Sequence, residues 1–179
     1  MPSVKPASVS GVASYAPSSP QKGLYLRKQD LRRGIELMFF AYRDFTGEAD
    51  QILLELELGR AHHRVIYFVG RRPNMSVSDL LAILKITKQS LSRVLSHLID
   101  TGYIRQTQGV RDKRQRLLAL TKKGTDLEAK LTDVQCRRFA AAYSARGGTA
   151  VDGFVKVLSS LLDEEMRAEL REEYPEHID

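Results

Sequence analysis

Arg111, Lys113, Arg114 and Arg116 put four cations into six residues, with Asp112 the single carboxylate among them. Such a run repels itself unless an anion is close, so it suits contact with phosphate rather than bond-making. Upstream, Lys88, Gln89, Ser92, Arg93 and Ser96 offer short polar or cationic groups at helical spacing, with Thr87 and Ser90 in the same stretch. Gln can pair two hydrogen bonds with an adenine edge, and the Arg fork matches guanine or phosphate. Ser76 and Arg72 lie ahead of this stretch and are further candidates for phosphate oxygens.

These groups need elements to hold them, and residues 76–121 supply the signals. Ser76 and Asp79 form a capping-box pattern ahead of an apolar stripe of Leu80, Leu81 and Leu84. A turn at Lys85–Ile86 follows, and Thr87 can cap a second helix. That helix buries Leu91, Val94, Leu95, Leu98 and Ile99, and Gly102 fits its stop. Tyr103–Gln108 and Gln115–Leu120 read as strands joined by the basic loop, which contains Gly109. The pattern is helix, turn, helix, strand, basic loop, strand. In isolation the basic loop would be a solvated turn; beside a helix-turn-helix it reads as a wing.

The flanks read as helices. Leu31, Ile35, Met38, Phe39, Tyr42 and Phe45 predict a helix over 30–46, with a loop around Thr46–Asp50. A second helix, about 58–70, carries Ala61, Val65, Ile66, Phe68 and Val69 and ends before Arg72–Pro73. Thr121 can cap a long helix through Leu127, Leu131, Val134, Phe139 and Tyr143, broken by Gly147–Gly148. Thr149 and Asp152 make another capping-box pattern before one last helix through Phe154, Val157, Leu158, Leu161, Leu162 and Met166. Wide apolar faces at both ends of the chain suggest a two-fold dimer.

Charge agrees with this division. Of the net +6, residues 60–124 hold 14 basic and 3 acidic side chains, a net of +11. Residues 1–59 are neutral, and residues 125–179, with 7 basic and 12 acidic groups, carry −5. The expected organisation is a flexible tail over 1–22, an N-terminal dimerisation helix and loop over 23–58, a DNA-reading lobe over 59–124, and C-terminal dimerisation helices over 125–179. At 179 residues and 42% hydrophobic content, the chain can bury one core. No apolar run approaches the roughly 18–20 residues of a membrane span. Met1–Lys22 lacks the continuous apolar core of a signal peptide. One cysteine, Cys136, excludes an intrachain disulfide framework and suits a cytoplasmic setting.

The order of elements, together with Asp112-x-Arg114 and Leu118-x-Leu120-Thr121-x-x-Gly124, resembles the MarR family of bacterial winged-helix regulators over roughly residues 30–170. The resemblance implies a mainly α fold: a winged helix-turn-helix with a small β-hairpin wing, plus intertwined N- and C-terminal dimerisation helices. It implies a homodimeric repressor, less often an activator, that binds double-stranded DNA at a pseudo-palindromic operator and is released by a small ligand. It also implies that Arg114 enters the minor groove while Asp112 helps to hold it. A narrow minor groove concentrates negative potential, which favours an inserted guanidinium.

Other chemistry is weakly represented. Cys136, beside Arg137 and Arg138, is expected to be a small buried apolar residue. His62 and His63 are adjacent, so on a helix they point about 100° apart and do not form an i, i+4 metal pair. His97 and His177 complete the histidines. Tyr42, Arg43, His63 and Tyr67 are candidates for lining a ligand cleft, where cations and rings would suit aromatic carboxylates or phenols. No Gly-rich phosphate loop or nucleophile elbow is present, so an enzyme is not expected and no cofactor is called for. The alternative is a winged-helix module that binds RNA or a protein partner through its basic wing.

Overall fold

The computed structural model describes residues 27–109 and 112–174. Arg111, His177 and the Met1–Lys22 tail therefore lie outside the described residues. Helix α1 (Lys28–Leu54) is followed by α2 (Arg60–Arg71), β1 (Met75–Ser76), α3 (Val77–Leu84) and α4 (Lys88–Asp100). Strands β2 (Ile104–Gln108) and β3 (Arg116–Leu120) lead to α5 (Lys122–Arg146), α6 (Gly148–Ser160) and α7 (Glu164–Glu173). The fold is mainly helical with one small antiparallel sheet in the order β1-β3-β2. Two compact units divide within α1, after Phe39.

In the first unit, α1 exposes Leu31, Ile35 and Met38, and Arg27 pairs with Asp30. Phe39 and Tyr42 of the apolar stripe read from the sequence are exposed as well, whereas Phe45 is half-buried with its ring 5.1 Å from that of Phe139.

The second unit contains the core. Leu53 of α1, Ile66 of α2, Leu80 of α3, Leu91 and Leu98 of α4, Ile104 and Leu118 of the sheet, and Leu131 of α5 are all fully buried. Five pairs from Ile104↔Leu120 to Gln108↔Arg116 set the β2–β3 register. β1 pairs Met75 with Leu118 and Ser76 with Leu117. This third strand was not expected, because two residues are too few to show any periodicity.

Three expectations are corrected. The loop at Thr46–Asp50 is helix, since α1 continues to Leu54. Thr46, Ala49 and Leu53 are all buried one turn apart, and that burial outweighs the roughly 1 kcal/mol by which Gly47 disfavours a helix. The Thr149–Asp152 capping box does not form: α6 begins at Gly148 with Gly147 as its N-cap, so Thr149 is already inside the first turn. The single last helix is two. Asp163 accepts the Met166 N–H at 2.9 Å and caps α7, while Arg167 donates to the carbonyls of Ser159 and Leu162 at 3.1 and 3.0 Å. No helix among the described residues is long and apolar enough to cross a membrane.

Candidate nucleic-acid interface

The α3–α4 pair is set by two side-chain caps. Ser76 Oγ accepts the Asp79 N–H at 3.1 Å, and Asp79 returns the bond by accepting the Ser76 N–H at 2.9 Å. Lys85 closes α3 in the left-handed region at φ 47°. A non-glycine residue is strained there, and the strain marks the sharp turn that redirects the chain. Thr87 Oγ1 then accepts the Ser90 N–H at 3.2 Å and lies 2.8 Å from Ser90 Oγ. Thr87 and Ser90 are therefore engaged with each other at the start of α4.

Burial of Leu91, Leu95 and Leu98 fixes which face of α4 is outward. Lys88, Gln89, Ser92, Arg93 and Ser96 are exposed on it. Lys88, Ser92 and Ser96 meet Ser76, the cap of α3, and Arg114 and Arg116 of the wing around one open groove of about 610 Å³. Gln106 and Ser78 also line this groove, and the sequence reading missed them. Strand alternation could have flagged Gln106; nothing local marks Ser78.

The wing turn is tightly built. Gly109 donates to the Gln115 carbonyl and Gln115 to the Asp112 carbonyl, each at 3.0 Å. A Cβ at Gly109 would lie 2.7 Å from the Asp112 carbonyl oxygen. Asp112 Oδ1 accepts the Arg114 N–H at 2.9 Å and Arg114 Nε at 3.3 Å. The Arg114 side chain is 93% exposed, so its guanidinium is presented outward from a fixed base. Lys113 is exposed beside it.

Arg72 is placed differently from the wing cations. Its guanidinium holds Glu169 and Glu173 of α7. Both carboxylates keep it firmly charged.

Of the four residues considered for a ligand cleft, Arg43 and Tyr42 have separate partners. Arg43 pairs with Asp44 and lies over the Phe40 ring, while Tyr42 receives a hydrogen bond from Arg64 at 3.3 Å and sits under Arg60. His63 and Tyr67 are half-buried one turn apart on α2. Burial pushes the His63 imidazole below its ordinary value, opposed by the Asp50 and Glu128 carboxylates. Burial also raises the Tyr67 hydroxyl. No described cavity gathers all four. Among the described residues no three His, Cys, Asp or Glu side chains are grouped to hold a metal.

Cys136 is exposed rather than buried. The buried positions of α5 include Leu127, Leu131 and Val134, and Cys136 follows Val134 by two residues, about 200° around the helix.

The MarR family model matches residues 56–115, which run from the approach to α2 through the wing turn. The HTH-type transcriptional regulator PetP of Rhodobacter capsulatus is 51% identical over 144 residues, covering 80% of this chain and 87% of that protein. The chain belongs to the MarR family. It is a transcriptional regulator and not an enzyme. The fold is shared with the MarR family transcription regulator SP03579, with a TM-score of 0.65 at 17% identity, over 81% of this chain and 95% of that one. It is also shared with a MarR protein from Peptoclostridium difficile, with a TM-score of 0.60 at 19% identity, over 88% and 96% of the two chains. The winged-helix likeness thus extends beyond the matched segment to most of this MarR-family chain.

Proposed function

We propose that this regulator is a homodimeric, sequence-specific repressor acting on double-stranded DNA in the cytoplasm. Lys88, Gln89, Ser92 and Arg93 of α4 read base edges and phosphates in the major groove, with Thr87 and Ser90 holding the start of that helix. Arg114, supported by Asp112, enters the adjacent minor groove, and Arg111, Lys113 and Arg116 contact the backbone. Ser76 contributes a further phosphate contact. The observation that carries this reading is the groove in which Lys88 and Ser92 of α4 face Arg114 and Arg116 of the wing.

Residues 59–124 form the reading lobe, and residues 23–58 and 125–179 associate two copies. Exposed Leu31, Ile35 and Met38 on α1, and Val157 and Leu161 at the end of α6, support this division, since large apolar groups left in water favour association. Two reading helices related by a two-fold axis match a pseudo-palindrome with half-sites about one helical turn apart. A small ligand, with Tyr42, Arg43, His63 and Tyr67 as its candidate contacts, releases the dimer from DNA.

Selection of bound sequences from a random duplex library at near-physiological salt tests the reading. Enrichment of a pseudo-palindrome with half-sites about ten base pairs apart supports it. Salt-sensitive binding with no enriched motif sinks sequence-specific repression and favours an RNA or protein partner for the wing. Sedimentation equilibrium tests the dimer separately, with a single-chain mass as the contrary result.

A further inference from the structure

The reading lobe carries a second group of cations that the groove does not use. Arg71 and Arg72 end α2 and precede the Ser76 cap of α3; Lys85 closes α3 and precedes the Thr87 cap of α4. All three are held by one short acidic helix. Arg71 donates to Glu173 at 2.8 Å and to the Tyr174 hydroxyl at 2.6 Å. Arg72 reaches both Glu169 and Glu173, and Lys85 lies 2.5 Å from Asp163. Arg72 and Lys85 also border one cavity of about 250 Å³ with Glu165, Glu169 and Met166.

Phosphate oxygens suit these cations as carboxylate oxygens do, because a guanidinium or ammonium recognises both by charge-assisted hydrogen bonds. We infer that Arg71, Arg72 and Lys85 are a reserve phosphate-contact patch, and that α7 is an internal competitor that occupies it when no DNA backbone is present. This rests on the DNA-binding reading given above and adds regulation to it.

Three features favour exchange over a permanent brace. No residue of α7 is fully buried, and the side-chain hydrogen bonds from Arg72 to its Glu169 and Glu173 are ion pairs. Ionic contacts at a surface weaken with salt and yield to a denser anion such as a duplex. Arg167 ties α7 to the end of α6 through backbone carbonyls, so α7 stays tethered nearby when its carboxylates let go. The charge distribution matches: the −5 of residues 125–179 opposes the +11 of residues 60–124.

The test uses full-length protein, an enriched operator duplex and an unrelated duplex, with wild type, Arg114→Ala and the double variant Glu169→Gln/Glu173→Gln. The double variant is expected to bind both duplexes about tenfold more tightly, with a steeper salt dependence and unchanged sequence ranking, because freed cations meet backbone and not bases. Adding Arg72→Ala to the double variant should remove most of that gain. In wild type, amide exchange in residues 164–173 should quicken when duplex binds, a measurement that needs no variant. Unchanged or weaker binding by the double variant, or amides equally protected with and without duplex, overturns the competitor role. If wild type binds duplex in an Arg114-dependent way while these tests fail, the DNA-binding reading stands and only this inference falls. If wild type binds neither duplex, both fall together.

Discussion

Gly124, in the first turn of α5, packs so closely on Tyr103 that a Cβ there would stand 2.1 Å from the Tyr103 carbonyl oxygen. The same carbonyl accepts the Thr121 N–H at 3.0 Å, and the Thr121 hydroxyl caps Gly124 at 3.1 Å. The obstacle is backbone, which cannot swing aside as a side chain can. Gly124→Ala should therefore destabilise the fold by about 1–3 kcal/mol, as forced overpacking does. Urea denaturation at neutral pH measures it, and a change below a few tenths would show that the helix start shifts freely.

Asp112 holds Arg114 at two points, its backbone N–H and its Nε. Arg114→Ala should weaken binding to most duplexes and reduce the salt slope by about 1, because one phosphate-neutralising cation is lost. Asp112→Ala should also weaken binding even though it removes a negative charge, because the arginine loses its base. Tighter binding by Asp112→Ala would show that charge outweighs positioning at the wing.

Gln89 is exposed on α4 next to the Thr87–Ser90 cap. Gln89→Ala should alter the preferred sequence more than total affinity, with discrimination at one base pair falling by about 1–3 kcal/mol. Repeating the library selection with the variant is the check. An equal loss on every sequence would make Gln89 a backbone contact.

Stability should fall on mild acidification. Burial pushes His62 below its ordinary value of 6.5, and the His97 ring, 5.0 Å away, pushes the same way. The Gly59 N–H donates to His62 Nδ1 at 3.0 Å and so needs that nitrogen unprotonated. Burial lowers His63 as well. As pH falls below about 6.5, the unfolded chain binds protons that the folded chain resists, so this contribution is present above that value and lost below it. Urea midpoints at pH 7.5 and 5.5 should differ less in His62→Gln/His63→Gln than in wild type. An equal difference in both proteins would assign the pH effect elsewhere.

The winged helix-turn-helix was legible in the sequence because its signals are local. Ser76 with Asp79, the Thr87 cap, and the Leu91–Leu95–Leu98 spacing each act within one or two helical turns, and all form as read. Asp112-x-Arg114 and Leu118-x-Leu120-Thr121-x-x-Gly124 identified the family for the same reason, since a wing turn and a helix cap are short-range devices. What depended on distant partners was not legible. Thr46 and Gly47 look like loop residues, yet α1 runs through them because Ala49 and Leu53 are buried in the core. The two-residue strand Met75–Ser76 exists only because β3 lies alongside it. Arg72 read as one more cation for DNA, and only tertiary packing set it against Glu169 and Glu173, about a hundred residues along the chain. The identity of each charge is written in the sequence; which opposite charge neutralises it is decided by the fold, because an ion pair depends on distance in space.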